Sequence, residues 1–274
     1  MDQQSISNIV SPVVASLPDD MLRDALTEGF HQSKTELDTI ESGFRRFADK
    51  RWSPRTTCTF MKSWHSTHLK MLPIYGLTCR LHRLAKTTDG ETRNHYFMAA
   101  ARNAETSHED LNLDGRFELN HAQLYDEMAN ALCGSDAWHS EQYNLPEAAD
   151  FKAWIRNNMI EQDLSVGLFT NMFSEIFNHG EYSYALDHFN NIFSQHYGYD
   201  DQRSQRLSVY IKCHVTSEVE VDHFHCCIDA LNHTNLAQGQ TFDSDMGYSI
   251  STEYLGRMSS IMGRLVELMD EEDA

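Results

Sequence analysis

The chain has 274 residues, a formal net charge of -19 with 15 histidines, and few helix breakers, 5 Pro and 13 Gly. That length can bury a substantial core, and the scarcity of breakers and of β-branched runs points to an all-α fold. So acidic a surface repels phosphate backbones and anionic headgroups, which argues against nucleic-acid and membrane partners.

In chain order, residues 1–17 read as an N-terminal arm, 18–270 as a single helical domain and 271–274 as an acidic tail that frays. The stretch "SLPDDMLRDALTEGF" opens a helix with acidic residues in its first turn, and the pattern carries it to about Lys50. After "RWSPRTT" a second helix is expected over about 57–86 and a third over about 91–111. "NLDGR" breaks that third helix, and "FELNHAQLYDEMANAL" resumes it. Further helices are expected over about 147–159, 161–178, 181–197, 203–233 and 248–269. None of the six cysteines forms a C-x-x-C pair or a zinc-finger spacing. "MDQQSISNIV" has no basic n-region or long apolar h-region, and no apolar run reaches the ~18 residues of a membrane span. The expectation is a cytoplasmic chain with free thiols.

The stretch "EVEVDHFHCCIDAL", residues 218–231, sets charge among core-type residues. At ~100° per residue, Glu218 lies about −40°, His225 about −60° and His214 about −80° from Asp222, while Glu220 points to the opposite side. Val219, Val221, Phe224, Cys226, Cys227, Ile228 and Leu231 surround this stripe. A helix apolar nearly all round is a buried one, and a buried charged stripe needs cations. A second [Asp/Glu]-x-x-His pair is Glu105 and His108. Di-iron and di-manganese bundles use two such pairs plus a carboxylate from each of two more helices. His65 and His68 lie on one further helix, Glu175 and His179 on another. Hard carboxylates with neutral imidazoles suit iron or manganese better than zinc.

At these residues the chain resembles the heme-oxygenase-like di-iron oxidases and oxygenases. The family's last core helix carries His-x-x-x-Asp-x-x-His; here Glu218, Asp222 and His225 match, with Glu in the first place. Its middle helix carries a Glu followed by a His, matched by "RNAETSHEDLNLDGRFELNHAQLYDEM". The resemblance favours His121 as the partner of Glu105; periodicity favours His108. His68 fits the first-helix ligand, with His65 as the alternative. Glu175 resembles the carboxylate of the remaining helix, with His179 behind it. The resemblance implies a heme-oxygenase-like helical bundle binding two Fe(II) per chain, or Mn, with O2 as cosubstrate. It also implies oxidation of an amino-acid- or fatty-acid-like small molecule by N-oxygenation, decarboxylation or C–C or C–N cleavage, often in natural-product pathways. A homodimer is common for such scaffolds.

Three other readings compete. A ferritin-like oxidase shares the metal and differs in topology. A thiaminase-like hydrolase on the same scaffold needs a Cys nucleophile beside a carboxylate, with Cys133 the candidate. A metal-free helical interaction protein needs only the long acidic helices. Arg80, Arg83 and Lys212 are substrate-binding candidates by proximity alone. Trp64, Tyr75, Phe97 and Phe173 flank the proposed ligands as core or pocket wall.

Overall fold

The computed structural model describes residues 5–68, 70–108, 111–113, 115, 118–215 and 219–274. The described residues form helices and connecting turns without a strand. In order the helices are α1 (Ile6–Ala15), α2 (Asp20–Gln32), α3 (Lys34–Phe47), α4 (Pro54–His68), α5 (Met71–Thr87) and α6 (Gly90–Glu105). Then come α7 (His121–Cys133), α8 (Pro146–Arg156), α9 (Leu164–Asn191), α10 (Asp201–Leu207), α11 (Val209–Val215), α12 (Val219–Gln238) and α13 (Ser244–Asp273). The all-α expectation holds.

Helix α9 is the axis of the bundle. Its residues are buried on nearly every face, as its apolar composition requires, and α1, α5, α11, α12 and α13 pack around it. The expected break near residue 180 does not occur. Gly180 instead lets α1 approach, since a Cβ there would lie 2.7 Å from Val10 and 2.8 Å from Ile6. The expected arm is therefore largely the docked helix α1, with Ile6, Val10 and Val14 in the core. The acidic end does not fray either. Glu272 accepts hydrogen bonds from the Ser53 amide (2.8 Å) and the Thr56 hydroxyl (2.6 Å), capping α4 from the far end of the sequence. Arg46 and Lys50 clamp Asp273 beside it.

Three expected helices are broken, and the breaks shape the site. Ser33 leaves helical backbone (ψ 27°) and divides α2 from α3. Pro73 has no amide to donate and would collide with the carbonyl four residues back. The expected 57–86 helix accordingly stops at His68 and restarts at Met71, and Lys70 sits in the gap. The expected 203–233 helix is interrupted at Ser208, between α10 and α11, and residues 216–218, between α11 and α12, lie outside the described residues. His214 is buried against Glu220, six residues on, and does not share the exposed stripe of Asp222.

Candidate active site

A cavity of about 140 Å³ lies where the α4–α5 junction meets α7, α9, α11 and α12. An N-terminal capping box, Asn120 with Gln123, fixes the first turn of α7 and so sets His121 into the cavity. Helix α9 contributes Glu175, Asn178 and Tyr182, which recur at helical spacing on one face. Helix α11 contributes Tyr210 and His214, and the first turn of α12 contributes Glu220.

Two buried groups of ligating side chains form this region. The ligating atoms of His121, Cys213 and His214 lie within 4.8 Å of one another, as do those of Glu175, Glu220 and His223. A contact of 2.5 Å between His214 Nδ1 and Glu220 Oε1 joins the two groups. Burial first, then the charges of His121, His68, His223 and Lys70, holds the His214 imidazole well below its ordinary pKa, so the ring is neutral. Where the Glu220 oxygen accepts from Nδ1, Nε2 keeps its lone pair. That Nε2 is buried and has no hydrogen-bond partner among the described residues. Tyr182 stacks on the ring at 4.0 Å between centroids and 6° between planes, which fixes its orientation.

Glu175 is also buried, at 4% exposure. Its Oε1 accepts from Lys70 Nζ at 3.2 Å and its Oε2 faces His223 Nδ1 at 3.6 Å. Burial pushes this carboxyl up, but Lys70, His223 and Glu220 together outweigh it and hold it below the usual carboxylate range. Lys70 also donates to Ser174 Oγ at 2.7 Å. A third carboxylate, Glu181, is fully buried and accepts from Trp64 Nε1 at 3.1 Å and from His68 Nε2 at 3.0 Å.

Of the expected ligands, His68, His121 and Glu175 line the cavity, and Glu105, His108, Asp222 and His225 do not. His68 lines the cavity, but its Nε2 is taken by Glu181 and its Nδ1 faces the Trp64 carbonyl at 2.9 Å. Glu105 is exposed and bonds to Arg102 at 3.2 Å, and His108 is exposed beyond the end of α6. Asp222 and His225 are exposed on the outer face of α12, while Glu220 and His223 are buried. The face assignment of that helix is thus reversed. Glu218 lies outside the described residues. His179 does not line the cavity. Cys133 is buried against Cys58, and burial first, then that contact, pushes its thiol far up, away from a nucleophile's range. Arg80 donates to the Met159 carbonyl at 3.0 Å, a structural role in the turn before α9. Trp64 and Phe173 are core; Tyr75 is exposed.

His65 also lines the cavity, packed against Tyr125 and Trp138. Burial, then the charges of His68 and Lys62, pushes its imidazole down to about 3 from an ordinary 6.5. The unfolded chain takes up this proton below about 6.5 while the folded chain refuses it until about 3. Stability is therefore full above that upper value and falls as the pH drops through the window, by about 1.4 kcal/mol per unit for such a group. Urea midpoints measured from pH 7.5 to 4.5 should fall, and His65→Leu should flatten the fall; equal slopes in both chains would refute this.

No family model matches the chain, and no curated protein does. Among solved structures, a TenA homolog from Pseudomonas syringae pv. tomato strain DC3000 superposes with a TM-score of 0.65 at 12% identity. The match covers 93% of this chain and 95% of that one. At that identity the likeness establishes the fold: this chain is an all-α bundle of the TenA-like, heme-oxygenase-like kind.

Proposed function

We propose that the cavity is an active site in which His121, His214, His223, Glu175 and Glu220 hold two divalent ions, iron in the first instance, and that the chain is an O2-dependent oxidoreductase. The observation that carries this reading is the pair of buried ligand groups joined at the His214–Glu220 contact. The donor set fits the metal: imidazole nitrogen with carboxylate oxygen suits iron or manganese. The bare Nε2 of His214, backed by a carboxylate on Nδ1, is the arrangement that makes an imidazole a strong ligand. When bound, the two ions would supply the binding and reduction of O2, chemistry that no side chain here provides.

The chain's own residues have separate tasks. Glu220 holds the His214 tautomer, and the Tyr182 ring holds its plane. Tyr125, Tyr182 and Tyr210 wall the cavity with rings whose hydroxyls are already engaged, Tyr182 with Tyr210 at 2.7 Å and Tyr125 with the Met61 carbonyl at 2.6 Å. Those walls exclude water and limit the substrate to a small molecule. An amino-acid- or fatty-acid-like substrate remains the proposed class.

A second reading is a thiaminase-like hydrolase, and the TenA homolog among the solved structures favours it. It needs a thiol at the site, and Cys213, grouped with His121 and His214, is the candidate in place of Cys133. One experiment separates the two. The chain is loaded with Fe(II) under anaerobic conditions, freed of unbound metal, analysed for iron and exposed to O2. The oxidase reading expects about two irons per chain and an O2-dependent change in the optical spectrum. No iron uptake beyond that of a His214→Ala chain would reject it and leave the hydrolase, for which Cys213→Ser is the decisive variant.

A further inference from the structure

Lysine is among the residues least often buried without a partner, and Lys70 is buried inside this cavity. It arrives there because Pro73 breaks the helix, leaving the residue just before α5 pointed at α9. Its ammonium donates to Ser174 Oγ at 2.7 Å and to Glu175 Oε1 at 3.2 Å. With the Asn178 amide turned so that both its ends are satisfied, Asn178 Oδ1 accepts from it at 3.0 Å. Among the described residues lining the cavity it is the sole Lys or Arg.

We infer that Lys70 is the built-in counter-ion of this site, engaging the Glu175 oxygen that a divalent cation would use, so that lysine and metal compete for one carboxylate. This rests on the metal-centre reading above. Three buried carboxylates frame the argument. Glu181 is served by His68 and Trp64, and Glu220 by His214. Glu175 belongs to a ligand group with Glu220 and His223, yet one of its two oxygens is already bonded to an ammonium. An ammonium on a flexible four-carbon stem neutralises that oxygen while the site is empty of metal and can withdraw when a doubly charged ion arrives. The fold thereby avoids an uncompensated buried carboxylate, at the cost of weaker metal binding.

The test uses the full chain and Mn(II) alone, with free ion counted by electron paramagnetic resonance during titration. Lys70→Met and Lys70→Gln should each bind Mn(II) at least about tenfold more tightly than the parent, the scale set by removing a charge a few ångströms away. Both metal-free variants should melt below the parent, and saturating Mn(II) should raise their melting temperatures more than the parent's. Lys70→Gln keeps polar contact with Ser174 and Asn178, so it separates charge from packing should Lys70→Met fail to fold. Lys70→Arg, which keeps the charge, should stay at the parent's affinity. A parent that binds Mn(II), with neutral variants that bind it equally or more weakly, would overturn the competition while leaving the metal centre standing. A parent and variants that all ignore Mn(II) would remove the metal centre and the competition together.

Discussion

Replacing Glu220 by Gln should lower metal affinity by about 10–100-fold, the usual loss when the group behind a ligand histidine is removed. Two roles converge on this carboxylate. It belongs to the ligand group with Glu175 and His223, and it faces His214 Nδ1, where an accepting carboxylate favours the Nδ1–H tautomer. The amide is the same size, so the 2%-exposed site stays filled. What changes is that an amide nitrogen facing Nδ1 would favour the other tautomer and occupy the Nε2 lone pair with a proton. His214→Ala should match or exceed the loss. Asp222→Asn, His225→Ala and Glu105→Gln alter exposed side chains and should leave Fe(II) or Mn(II) uptake and the metal-dependent rise in melting temperature unchanged. Metal content after desalting measures all five. Equal losses at Asp222 and Glu220 would mean that the buried face of α12 is not the ligand face.

That contrast also shows where the sequence was legible. Fold class followed from composition, because helix-breaking residues are few and apolar residues recur at helical spacing. Within α12 the buried stripe is legible as well: Val219, Phe224, Cys227 and Leu231 define it, and Glu220 and His223 lie on that stripe. The helical wheel and the resemblance to His-x-x-x-Asp-x-x-His both select Asp222 and His225, which are exposed, together with Glu218, which lies outside the described residues. His214 is buried with Glu220, six residues on, rather than on the exposed stripe of Asp222. Pro73 is the sequence signal for the α4–α5 gap in which Lys70 sits. Two features were not legible. The pairing of Glu181 with His68 and Trp64 spans more than a hundred residues, and local periodicity carries no information about such contacts. The docking of α1 on Gly180 likewise depends on a packing distance, whereas glycine in sequence reads first as a breaker.

The largest stability effect should come from Glu181, which lies beside the ligand groups without joining them. Its two oxygens hold Trp64 Nε1 and His68 Nε2, and it is fully buried. Trp64 in turn stacks on Phe189 at 5.1 Å and meets Phe44 edge-on at 5.6 Å, so this carboxylate anchors the aromatic centre of the bundle. Glu181→Ala leaves two buried donors without an acceptor and opens a cavity, and the loss should be about 3–5 kcal/mol, as for a buried pair deprived of one partner. Urea denaturation followed by tryptophan fluorescence measures it. Replacing both partners, Glu181→Leu with His68→Leu, removes the His68 donor along with its acceptor and fills the space, so the double variant should be more stable than Glu181→Ala although it carries one more substitution. A double variant less stable than the single one would show that the pair is held for its attraction. A Glu181→Ala chain within about 1 kcal/mol of the parent would show that water reaches this carboxylate and that the aromatic centre does not depend on it.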